Sequence, residues 1–159
     1  MNKFSFASIK CFLMVLVLMI CLFSFRTLSL PTHAQTQMGV DMRKTTSGGT
    51  LDILLQPSPQ PVGHTGPTSL KVKFMTKGSQ TVQPHIDYDL VIKNSNGKQV
   101  FQASQLAGQP GKPLHTAEGV VTIPFTFQGP GDYSISVPVY GILFNPIKPE
   151  SADFTIKVA

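Results

Sequence analysis

From Thr50 to the C-terminus, apolar and polar residues alternate in short runs separated by proline, glycine and asparagine. Leu51–Leu55 is an apolar run closed by Pro57, Pro59 and Pro61. In SLKVKFM, Leu70, Val72 and Phe74 alternate with Lys71 and Lys73, a period of two that buries one face and wets the other. HIDYDLVIK repeats the pattern: Ile86, Tyr88, Leu90 and Ile92 face inward, and His85, Asp87, Asp89 and Lys93 face outward. Asn96-Gly97 tolerates the positive φ angles of a tight hairpin and leads into the return strand KQVFQ. Next comes GVVTIPFTF, with Val121, Ile123, Phe125 and Phe127 inward and Pro124 outward, the mark of a sheet edge. YSISVPVY turns Tyr133, Ile135, Val137 and Val139 inward, and ADFTIKV does the same with Ala152, Phe154, Ile156 and Val158. The expectation is an all-β chain of seven strands, with no helical period and turn signals at each break, which is the pattern of a sandwich.

The N-terminus follows a different logic. Lys3 and Lys10 precede Cys11–Phe25, a run of uncharged and mostly apolar residues. Arg26 and TLSLPTHAQ follow, with Thr32 and Ala34 small enough for the −3 and −1 positions of a signal peptidase site. A basic start, a short apolar stretch and a small-residue exit predict a cleaved secretory signal over residues 1–34. An uncleaved N-terminal membrane anchor is the alternative, although a spanning helix needs about 20 apolar residues. Residues 35–49 lack periodicity, end in Ser-Gly-Gly, and read as a flexible linker to a domain over 50–159.

Removing the leader changes what composition implies. Both cysteines, Cys11 and Cys21, lie within it, so the exported chain carries no disulfide and must rely on its core. Ile20 before Cys21 does not fit a lipoprotein signal. Three of the 13 basic residues also leave, so ten face eight acidic ones and the exported surface is nearly neutral. No basic cluster with interleaved aromatics remains, which excludes a nucleic-acid footprint.

The segment GDYSISV resembles the Gly-x-Tyr step that opens the penultimate strand of many immunoglobulin-like domains. That resemblance implies an immunoglobulin-like sandwich in which the Tyr133 hydroxyl bonds back to the backbone at a corner. The cysteine pair and core tryptophan of antibody domains are missing, so the wider architecture alone is implied. With HIDYDL, LHTAEG and GILFNPIKPE, residues 50–159 also resemble uncharacterised exported β-sandwich proteins of archaea. The chain is faintly similar to the copper-resistance type of periplasmic immunoglobulin-like domain. It departs from that type in having Gln35 rather than histidine at the expected new N-terminus, and in having only Met38, Met42 and Met75 in the exported part.

Motifs of catalysis are absent: no Gly-x-Ser-x-Gly, no His-Glu-x-x-His, no phosphate-binding glycine loop and no Cys-x-x-Cys. A non-enzyme is expected. One constellation merits attention, namely His85, Asp87 and His115. At i and i+2 on a strand, His85 and Asp87 share a face about 6.5–7 Å apart, and His115 precedes the next strand. Two imidazoles and a carboxylate suit Zn²⁺, Cu²⁺ or Fe²⁺ rather than Ca²⁺. Asp89 and Glu118 stand nearby in sequence as helpers, while His64 reads as plain surface. The bland alternative is the solvated face of a half-exposed strand. A second feature is Gly141–Pro149, which places Ile142, Leu143, Phe144 and Ile147 in the connection between two strands. Such a segment either folds back to cap the sandwich or offers an apolar patch to a partner. Pro146 and Pro149 stiffen it, and that favours capping.

The sequence therefore predicts a non-enzymatic binding or structural module outside the cytoplasm, with a protein of the cell envelope as partner. The alternative is a metal-binding protein for copper or zinc. Contact with the membrane is expected only through the N-terminal segment, if that segment is retained.

Overall fold

A computed structural model describes residues 41–159; the expected leader, its cleavage point and the first part of the linker lie outside the described residues. In chain order the elements are β1 (Met42–Thr45), β2 (Leu51–Ser58), β3 (Thr68–Thr76), β4 (Ile86–Tyr88), β5 (Val91–Lys93), β6 (Gln99–Gln102), α1 (Ala103–Leu106), β7 (Leu114–Thr116), β8 (Val120–Phe125), β9 (Gly131–Ile142) and β10 (Asn145–Val158). One sheet has the order β1-β2-β3-β8. The other is built on β9. Its whole length pairs antiparallel with β10, while its opposite edge takes β5 at Ser134–Ser136 and β4 at Val139–Ile142. β6 extends the sheet from β5, and β7 extends it from β4.

Alternation places one face of every long strand in a single core. Leu70, Val72 and Phe74 of β3 are fully buried, as are Ile135, Val137 and Val139 of β9. Phe74 and Tyr88 meet with ring centroids 5.3 Å apart and link the two sheets. Phe127 packs edge-on against both Phe125 and Tyr133, a favoured aromatic geometry. The Tyr133 hydroxyl donates to the Gly129 carbonyl at 3.2 Å, as the corner resemblance implies. Pro124 lies outward on β8, the edge strand of its sheet, where the missing N–H is no loss.

The chain is all-β in two sheets, but it departs from seven strands in four places. β1 lies inside the segment read as a linker and pairs with β2 from Met42↔Leu55 to Thr45↔Asp52. Met42 is its only residue not fully exposed, so apolar alternation could not reveal it. HIDYDLVIK is two strands, because Asp89 turns inward and is buried. Its carboxylate accepts hydrogen bonds from the Leu90 and Ser104 N–H groups, the Ser104 hydroxyl at 2.6 Å and the Gln102 amide at 2.7 Å. β7 is only three residues long. The described residues also contain one helical turn, α1, where no helix is expected from periodicity. β2 runs on through Pro57, which pairs with Leu70 beyond the end of β1, so its absent N–H breaks no ladder.

Candidate functional site

β7, β4 and β9 lie side by side, and the site is built where they end. Asp87 is paired with His115 across β4–β7 and with Gly141 across β4–β9. Opposed residues on one face of an antiparallel pair have Cβ atoms about 4.5–5.5 Å apart, which puts the Asp87 carboxylate beside the His115 ring. His115 Nδ1 lies 2.7 Å from Asp87 Oδ1. An ionised carboxylate can only accept, so Nδ1 carries the proton and Nε2 keeps the lone pair. The other carboxylate oxygen occupies space left by Gly141, where an added Cβ would lie 2.4 Å from it.

His85 sits just before β4. Its N–H donates to the Ala117 carbonyl at 3.3 Å, and its own carbonyl accepts from the Leu143 N–H at 2.8 Å. These bonds hold it between the end of β7 and the tip of the β9–β10 hairpin. His85 Nδ1 then lies 3.4 Å from His115 Nε2, within reach of a hydrogen bond in which the His85 N–H donates and Nε2 accepts. The three expected residues do come together, but in series: Asp87, His115, His85. Asp87 faces the far side of the His115 ring and does not converge with the two imidazoles on one point. Among the described residues no group of three or more His, Cys, Asp or Glu side chains is arranged to hold a metal ion. Of the expected helpers, Asp89 is committed to its internal network, and Glu118 is exposed in the turn after β7. His64 Nδ1 donates to the Ala159 carbonyl at 2.7 Å.

Gly141–Pro149 is not a loop. β9 continues to Ile142 and β10 begins at Asn145, so Leu143 and Phe144 alone form the turn. Both have positive φ, 50° and 64°, the pattern of a type I′ hairpin that normally calls for Asn-Gly. Ile142 and Ile147 pack against the core, whereas Leu143 is 49% exposed and Phe144 70% exposed. The Phe144 ring instead covers the imidazoles, with its centroid 4.2 Å from that of His85 and 5.5 Å from that of His115.

The third non-glycine residue with positive φ among those described is His85 itself, at 52°. All three strained positions therefore meet in this one place, and each costs about 1–3 kcal/mol and persists because its surroundings enforce it. From the sequence, Phe144 is a partner-binding candidate and Gly141 the start of its segment, but neither is placed beside the histidines. No local signal marks either residue, because both reach the histidines through strand register.

No family model matches the chain, and no curated protein matches it. Among solved structures, it is similar to the soluble domain of PmoD from Methylocystis sp. ATCC 49242 (Rockwell), at 15% identity and a TM-score of 0.46, covering 72% of this chain and 97% of that one. At that score the likeness transfers neither chemistry nor residue roles.

Proposed function

We propose that the protein is a non-enzymatic, extracytoplasmic module that binds a metal ion through His85 and His115, with Asp87 as the positioning group. The observation that carries this reading is the pair of imidazole nitrogens 3.4 Å apart, with the tautomer of His115 fixed by a carboxylate on its opposite side; a metal ion would replace the proton the two nitrogens share. At a Zn–N length of about 2.0–2.1 Å, that separation gives an N–Zn–N angle of about 110°, close to tetrahedral. The angle favours Zn²⁺ over Cu²⁺, which prefers square-planar surroundings. A carboxylate bonded to the remote nitrogen fixes the tautomer and raises the basicity of a ligating histidine.

Three further features support this reading. The local backbone strain is of the kind retained at functional sites. The basic-then-apolar N-terminus and the absence of cysteine after residue 34 support placement outside the cytoplasm. The Tyr133 corner supports an immunoglobulin-like sandwich as the parent architecture. Among the described residues no helix is long and apolar enough to cross a membrane.

Calorimetric titration of the purified protein with Zn²⁺ tests the site. Saturable binding is expected, and His85→Ala and His115→Ala should each abolish it. Equal heats from the protein and the double variant would refute the proposal. The exposed Leu143 and Phe144 favour the second reading, a docking surface for an envelope protein, which would then stand without the metal.

A further inference from the structure

Two imidazoles are half of a tetrahedral set. Resting on the metal reading above, we infer that a second copy of this chain completes the site, with His85 and His115 of each copy binding one shared Zn²⁺. A two-fold axis through the ion carries one nitrogen pair onto the two remaining tetrahedral corners, so a single chain can supply all four donors by self-association. The described residues of one chain cannot do so, since no third donor converges on the pair. Neither Asp87, turned to the far side of His115, nor the buried Asp89 can move in without breaking bonds it already makes.

The surroundings of the nitrogens agree with this. Leu143 and Phe144 project at the hairpin tip beside them, largely exposed and held in a turn that neither side chain favours. Across a two-fold axis at the metal, the two tips lie next to each other and cover these side chains. Their area is too small to hold a dimer alone, because stable interfaces bury about 800 Å² per partner. The metal must therefore supply most of the association, and the dimer should exist only when zinc is bound.

The edges of the fold allow this approach. β7 is the outer strand beside β4 and is only three residues long, and among the described residues no further element lies beyond it on the His115 side. At the opposite edge the Ser47 N–H donates to the Ser151 carbonyl at 2.8 Å and ties the β1 end of one sheet to β10 of the other at that point.

The experiment is sedimentation velocity of the purified protein in mild detergent, with zinc added in steps and zinc content measured in each species. The expected result is a dimer holding one Zn²⁺ per two chains, dissociated by EDTA and absent in His115→Ala. Phe144→Ala should still bind zinc but require more of it to dimerise. Zinc bound one to one by a monomer would overturn the shared site and leave the metal reading intact. No zinc binding at all would overturn both. A dimer that persists in EDTA and in the double histidine variant would assign association to another surface and likewise overturn the inference.

Discussion

Asp52 on β2 receives the guanidinium of Arg43 on β1, with Nη2 at 2.9 Å and Nε at 3.2 Å, and so fixes a strand that has almost no apolar contact of its own. The same carboxylate accepts from the Thr45 hydroxyl at 2.6 Å and from the Gly78 N–H at 2.9 Å. These bonds, the Thr45 hydroxyl foremost, hold its pKa down at about 2. A carboxyl depressed in the folded state stabilises the fold at pH values above its ordinary range near 3.8, and that stability is lost as pH falls toward 2. Melting temperatures between pH 5 and pH 2 should therefore fall more steeply for the native protein than for Asp52→Asn. Parallel curves would remove Asp52 from the acid response. At neutral pH, Asp52→Ala should cost about 1.5–3 kcal/mol in denaturant unfolding, as expected for lost hydrogen bonds to a charged group.

Phe154 is 1% exposed, in the middle of β10 opposite Ile135. Truncation to alanine should destabilise by about 3–5 kcal/mol. Phe125 also faces inward but is only half-buried near the open edge, so Phe125→Ala should cost clearly less. Equal losses would mean that the β8 edge is better covered than its exposure indicates.

Gly141 has no side chain where Asp87 needs room. Adding a methyl group there displaces the Asp87 carboxylate and also crowds its Cβ, 3.2 Å away. Gly141→Ala should fold and yet weaken zinc binding about 10–100-fold, the same loss expected of Asp87→Asn, because both release His115 from its positioning partner. If Gly141→Ala binds zinc normally while Asp87→Asn does not, the carboxylate reaches His115 by another route.

The hairpin tip makes the opposite trade. Replacing Leu143-Phe144 by Asn-Gly supplies the pair that a type I′ turn prefers, so the double substitution should raise stability by about 1–2 kcal/mol. It should also remove the ring that covers both imidazoles and impair zinc-dependent dimerisation. A gain in stability with unchanged self-association would show that the bulky pair serves neither site nor interface.

How much of this was legible depended on whether apolar alternation carried the signal. β3, β8, β9 and β10 each bury one face, and period two located them with their inward residues, whereas β2 showed only as an apolar run. β1 is held by Arg43 and Asp52 rather than by burial, so hydropathy could not register it. The split between β4 and β5 arises from Asp89, whose partners Gln102 and Ser104 lie more than ten residues away in sequence; local reading sees only another outward acid. An i, i+2 spacing groups His85 with Asp87 on one strand face, but His85 lies before β4 with a positive φ, and the pairing of β4 with β7 brings His115 to Asp87. The serial order of the three could not be read from spacing, since it depends on the register that sets Asp87 opposite His115 and on the hairpin bond that holds His85. Gly141–Pro149 read as a loop because nothing in Leu-Phe announces a two-residue reversal.

A turn that is uphill for both of its residues cannot nucleate the ribbon it joins. The β9–β10 hairpin should therefore close first around Ile135–Phe154 and Val137–Ala152, and its tip should settle last. In the native state the same order runs in reverse, so the tip is the first part to open. Amide exchange should be faster at Leu143 than at Val137, and the two histidines would then gain and release an ion by local breathing while the rest of the domain stays folded.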